Sequence, residues 1–253
     1  MTNPTTKTLV LITGANQGIG FGIAEHLIHL KTFHVLIGAR SEAKAEAAVK
    51  QLQAQTSDAE LTAVVIDVTN DLTIAAAAKA VTEKFGHLDL LINNAGIASG
   101  TLPDDLTARQ EFAAIYDTNV IGAMAVTEAF LPLLRASTYQ DRRIVNVSSG
   151  LGQIGLALAV DHQSGAKAIP APAYRASKAA LNMLTAVYAA NLRDEDILAV
   201  PACPGYARTN LTRGQGRKTA SEGARIIVRA AIEGDAKTVY GTFVADDIVQ
   251  YGW

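Results

Sequence analysis

Thr8-Leu9-Val10-Leu11-Ile12-Thr13-Gly14-Ala15-Asn16-Gln17-Gly18-Ile19-Gly20 is an apolar run that breaks into three glycines within seven residues. The unbroken apolar part predicts a strand buried on both faces, the habit of parallel sheets covered by helices. The residues beyond the glycines, to about Leu30, pattern as a helix. In such a strand–turn–helix unit each glycine has a task. One makes the tight turn, one lets the main chain approach a pyrophosphate, and one allows close helix–strand packing. The helix N-terminus adds amide donors and a partial positive charge suited to phosphate. The spacing, Gly14-x-x-x-Gly18-x-Gly20, departs from the commoner Gly-x-Gly-x-x-Gly, and in isolation it could be a plain turn. Its place after the first strand favours nucleotide binding.

Outward from this stretch, short β-rich runs alternate with longer helical patterns. Further strands are predicted over Phe33–Gly38, Leu61–Ile66, Leu88–Ile92, Arg143–Val147 and Ile197–Val200, with a final one at Gly241–Ala245. Helices are predicted to about Leu30 and over Glu42–Gln55, Leu72–Phe85, Thr107–Leu134, Tyr174–Leu192 and Ser221–Ile232. This alternation predicts an α/β fold: one Rossmann-type domain over residues 1–253. Its sheet is doubly wound and mostly parallel, with about seven strands and helices on both faces.

The chain has 253 residues, 49% of them hydrophobic and 18% charged, with a net charge of −2. That balance offers no field suited to nucleic acid or an anionic membrane. Cys203 is the only cysteine, so no intrachain disulfide can form. The polar start Met1–Lys7 lacks the apolar core of a signal peptide, and no apolar stretch approaches the ~20 residues of a membrane span. A cytoplasmic protein is expected. No His/Cys/Asp cluster has metal-ligand spacing, so no metal is expected.

Two further places suggest chemistry. The second predicted strand ends in Gly38-Ala39-Arg40-Ser41, where NAD binders usually carry a carboxylate for the ribose 2′-hydroxyl. A guanidinium there pairs with a phosphate instead, which favours NADP(H). Tyr174 and Lys178 stand four residues apart at the start of a predicted helix, on one face. An ammonium at ~4 Å and an effective dielectric of ~20 favours the phenolate by roughly 4 kcal/mol before screening and desolvation. A tyrosine tuned in this way could exchange a proton with a carbonyl or alcohol near neutral pH.

Taken together, these residues resemble the short-chain dehydrogenase/reductase family over essentially the whole chain. The matching elements are Thr13-Gly14-x-x-x-Gly18-x-Gly20, Asp67-Val68, Asn93-Asn94-Ala95-Gly96, Asn119, Ser148-Ser149, Tyr174-x-x-x-Lys178 and Pro204-Gly205-x-x-x-Thr209. The resemblance implies that Tyr174 is the general acid or base and that Lys178 tunes it and holds the nicotinamide ribose. It implies that Ser149 bonds the substrate oxygen and that Asn119 anchors a water leading from Lys178. It assigns NADP(H) to Gly14, Asn16, Gln17, Gly18, Ile19, Gly20 and Arg40. Asp67 and Val68 fall at the adenine, Asn94, Ala95 and Gly96 near its ribose, and Pro204, Gly205 and Thr209 at the nicotinamide end.

The 24 residues between Ser149 and Tyr174 exceed the usual spacing and resemble the carbonyl reductase subgroup. So does the C-terminal run Gly241–Trp253. An insertion before the Tyr174 helix would disturb a tetramer contact, which favours a monomer or homodimer. His162, within the insertion, is expected to be an exposed loop histidine. The expected function is NADPH-dependent reduction of a small-molecule aldehyde or ketone. The alternatives are NADP-dependent oxidation of a secondary alcohol, or a redox sensor that binds NADP(H) without turnover.

Overall fold

The apolar run Thr8–Ile12 forms strand β1, and Gly18–His29 forms helix α1, as the opening stretch requires. The structure is a computed structural model that describes residues 7–234 and 239–245. Strands β2 (Phe33–Ala39), β3 (Glu60–Val65), β4 (Leu90–Asn93), β5 (Arg142–Val147) and β6 (Ile197–Ala202) follow. They pair in the order β3-β2-β1-β4-β5-β6, and every pairing is parallel. The order reverses between β1 and β4, the switch point where a doubly wound sheet opens a crevice at the carboxyl ends of its strands.

Helices α1, α2 (Glu42–Gln55), α3 (Asp71–Phe85), α4 (Ala108–Tyr116), α5 (Gly122–Ala136), α6 (Ile154–Leu158), α7 (Pro172–Asn191) and α8 (Ala220–Ile232) accompany these strands among the described residues. The alternating faces of the strands feed two apolar cores. Val10 and Ile12 pack with residues of α1 and α8, while Leu9 and Leu11 pack with residues of α3, α5 and α7.

Three expectations change. The described residues form six strands rather than seven. The run expected as a last strand makes one bridge, Ala202 to Val244, because the Thr242 amide and hydroxyl both turn to Val239 O. Residues 246–253 of the C-terminal run, and residues 1–6, lie outside the described part. The helix expected over Thr107–Leu134 is interrupted by a π turn, Asp117–Ile121. The stretch Ala108–Ala136 has the length and mean hydropathy (1.2) of a bilayer span, contrary to the expectation from sequence. Half of its most apolar window is buried inside the protein, the mark of a core helix. Lastly, the insertion after Ser149 holds a 3-10 turn (Gly150–Gly152) and helix α6.

Candidate active site

The glycine turn is held from below. Asn94 Nδ2 donates to Thr13 O (2.9 Å) and Gly14 O (3.2 Å), while Thr13 Oγ1 accepts from the amides of Asn94 and Ala95. Gly14 and Gly18 sit at φ 63° and 58°, where a side chain would be strained. Gln17 precedes α1 without capping it, so the amides of the first turn have no side-chain acceptor there. A bare helix N-terminus behind a turn that tolerates no Cβ suits a dinucleotide's pyrophosphate. The resemblance placed Asn94 near the adenine ribose; in the structure its side-chain amide also holds the turn. Asn16 is part-buried within the turn and Gln17 exposed. Ile19 reaches towards α8, its Cδ1 2.9 Å from where a Cβ on Gly223 would lie.

At the far ends of the cleft, Arg40 is exposed after β2, with no carboxylate paired to it among the described residues. Asp67 Oδ1 accepts from Thr69 N (3.0 Å) and Thr69 Oγ1 (2.7 Å), closing the turn after β3. Val68 is buried against Gly122, where a Cβ would come 2.7 Å from Val68 O. Thr209 lies over Gly18, its Cγ2 3.5 Å from a Cβ built there.

Ser149, Tyr174, Lys178 and Asn119 converge beyond the ends of β4 and β5. These strand ends are fixed by a buried chain of amides. Asn93 Nδ2 donates to Asn146 Oδ1 and Thr127 Oγ1, both at 2.9 Å, and Asn146 Nδ2 donates to Thr185 Oγ1 at 2.8 Å. Ser149 follows β5 and lies close enough to the Tyr174 hydroxyl to favour its ionised form. Its Oγ also accepts from Leu151 N at 3.2 Å. Lys178 Nζ lies 5.7 Å from the centre of the Tyr174 ring and donates to Val147 O at 2.8 Å.

Asn119 is buried in the π turn. It grips Ile97 from both sides: Oδ1 accepts from Ile97 N (2.8 Å) and Nδ2 donates to Ile97 O (2.9 Å). Its Nδ2 also donates to Ser177 Oγ (3.0 Å), which in turn donates to Tyr174 O (2.8 Å). Gly96 lets these groups meet, since a Cβ there would lie 3.3 Å from Asn119 Oδ1 and 3.7 Å from Lys178 Nζ.

Burial adds a desolvation cost to the pairing inferred from sequence. Burial pushes the Tyr174 phenol up from its ordinary range, and the neighbouring Cys203 pushes it further; the Ser149 hydroxyl opposes both. Burial lowers Lys178 to about 8, with Cys203 opposing. The ammonium therefore does not by itself deliver a phenolate, because the surroundings that sharpen its field also disfavour its charge. The raised phenol and an amine near 8 both keep their protons near neutral pH. Cys203 is a small buried residue, as a lone cysteine usually is. Yet its Sγ also accepts from the amides of Gly150 (3.3 Å) and Gly205 (3.4 Å), tying Ser149's successor to the Pro204-Gly205 segment. Ser177 was not assigned a role from sequence, since nothing in its local pattern marks it. His162 is exposed and accepts from Ser164 N (3.0 Å).

The order of these groups along the chain is matched by a family model, described as short chain dehydrogenase, over residues 8–220. The chain belongs to the short-chain dehydrogenase family. Among similar members, the short-chain dehydrogenase anuI of Penicillium roqueforti is 53% identical over 250 residues, covering 98% of each chain. Carbonyl reductase [NADPH] 3 of Rattus norvegicus is 31% identical, covering 96% of this chain and 97% of its own. Among solved structures, NADPH-bound carbonyl reductase from chicken fatty liver aligns with a TM-score of 0.80 at 30% identity, over 98% of this chain and 99% of its own. This short-chain dehydrogenase is thus carbonyl reductase-like in sequence and fold, an oxidoreductase of carbonyl and alcohol chemistry.

Proposed function

We propose that the protein reduces an aldehyde or ketone to an alcohol with NADPH, and that Tyr174 supplies the proton. The observation that carries this is the convergence of Tyr174, Lys178 and Asn119 beside Ser149 at the end of β5, with the Lys178 ammonium 5.7 Å from the phenol ring. Bound NADPH would supply the hydride. As negative charge grows on the carbonyl oxygen, the hydroxyls of Ser149 and Tyr174 donate to it, and the phenol proton follows. Lys178 stabilises the phenolate so formed. Asn119, through Ser177, holds the first turn of α7 in register with this oxygen. Consumption of NADPH against a chemically varied carbonyl panel tests the proposal, and absence of turnover across that panel would sink it.

NADPH itself is supported by Arg40, which meets no carboxylate among the described residues, and by the NADPH-named relatives. A hydrogen bond to a charged group is worth about 1.5–3 kcal/mol, so Arg40→Ala should raise the NADPH Kd about 10- to 100-fold. The NADH Kd should stay level. An equal loss for both cofactors would remove Arg40 from phosphate recognition.

The pH dependence follows from Lys178. Its folded pKa is lowered, so its charge is present below about 8 and is lost as pH rises through that value. The kcat/KM for reduction should therefore be level below that pH and fall up to about tenfold per pH unit above it. A level profile to about pH 9.5 would contradict the need for the ammonium.

A further inference from the structure

Arg175 follows Tyr174 on α7 and is only 7% exposed. A guanidinium so deeply placed needs partners, and the hydrogen-bond acceptors here are three main-chain oxygens. Nε donates to Ile169 O (2.9 Å), Nη1 to Leu151 O (3.2 Å) and Nη2 to Ser164 O. The three carbonyls come from three separate places in the segment joining Ser149 to Tyr174: the 3-10 turn, the middle and the approach to α7. An irregular segment leaves such carbonyls without ladder partners, and the planar fork of an arginine can satisfy several at once.

The segment is otherwise folded on itself. Ala166 N donates to Ala157 O (3.0 Å), and Gly165 admits no side chain, since a Cβ would lie 2.1 Å from Ala159 O. Its first turn is pressed on the catalytic helix, where a Cβ on Gly152 would lie 2.7 Å from the Lys178 carbonyl carbon. Ile154, Leu158 and Val160 are left 72%, 75% and 63% exposed. A second attachment comes from the stretch after Thr209, where Arg217 Nη2 donates to Gln163 Oε1 (2.7 Å). That stretch also reaches the glycine turn through Asn210 and Gln17 (3.0 Å), and Gly100 O through Arg213 (3.2 Å).

We propose that Arg175 is a positioning residue that clamps residues 150–170 as an apolar wall of the substrate site, and so sets how well bulky apolar carbonyls are held. This rests on the carbonyl reductase function proposed above. Arg175 does not touch the reacting atoms. Because it adjoins Tyr174, the wall is located from the same helical turn that carries the proton donor.

The test compares wild type with Arg175→Met and Arg175→Lys by hydrogen–deuterium exchange, NADPH affinity and kinetics over carbonyls of graded size. Loss of charge-assisted bonds to the clamp should speed exchange in residues 150–170 about tenfold or more in Arg175→Met. Exchange in residues 181–189 should not change. KM for the bulkiest apolar ketones should rise about tenfold, while kcat, the KM of a small aldehyde and the NADPH Kd stay within about threefold. Arg175→Lys, which keeps the charge but not the fork, should fall between. Unchanged exchange and an unchanged size profile would overturn the clamp. A loss of kcat independent of substrate size would overturn the wall. If wild type reduces no carbonyl, the enzymatic proposal fails by itself, and the exchange measurement still decides the clamp.

Discussion

Replacing Tyr174 by phenylalanine is expected to lower carbonyl reduction about 10²- to 10⁴-fold, the usual worth of a positioned general acid. The ring stays, so its packing and the nearby ammonium, 5.7 Å from the ring centre, are kept. What is lost is the single proton held beside Ser149. Ser149 is not stranded, because its Oγ still accepts from Leu151 N. NADPH affinity and melting temperature should therefore remain near wild type while single-turnover oxidation of NADPH collapses. A Tyr174→Phe protein within tenfold of wild type, by that assay, would remove the phenol from the reaction.

The second large effect is expected at Gly20. A Cβ there would lie 2.5 Å from Asn94 Nδ2, 2.5 Å from Gly14 O and 2.9 Å from Ala15 Cα. Two of these atoms are the main chain of the turn, and the third belongs to the amide that holds it, so none can yield cheaply. Gly20→Ala should displace the turn and misdirect the amides facing the phosphates. With each charge-assisted bond worth about 1.5–3 kcal/mol, losing two weakens NADPH about a hundredfold or more. Overpacking should also cost about 1–3 kcal/mol of stability. Gly155→Ala is the control: nothing lies within 4 Å of its Cβ position, so little should change. Titration of NADPH by fluorescence on both variants checks this, and equal affinities would disprove the crowding at Gly20.

Both segments could be placed from sequence because their signals are local. An apolar strand followed by glycines, and a tyrosine one helical turn before a lysine, carry their geometry in their spacing. The strand alternation was legible for the same reason, as each buried parallel strand is a continuous apolar run. What escaped depends on partners distant in the chain. Nothing near Asn119 announces the π turn, which arises where its side chain meets Ile97, 22 residues away. Asn94 is committed to the glycine turn some 80 residues earlier. The spacing of Tyr174 and Lys178 gives their proximity, whereas the desolvation that opposes the phenolate depends on the packing around them. Arg175 was invisible because its partners are main-chain oxygens, which leave no mark in a sequence.

That choice of partners has an evolutionary consequence. A clamp that grips only the backbone is indifferent to which side chains the gripped segment carries. Ile154, Leu158 and Val160 can then be exchanged without disturbing Arg175, Tyr174 or Ser149. Substrate preference becomes a property that can drift, or be engineered, by point changes in a stretch whose path is fixed independently. The chemistry is inherited from the helix and strand ends, and selectivity is left open to revision.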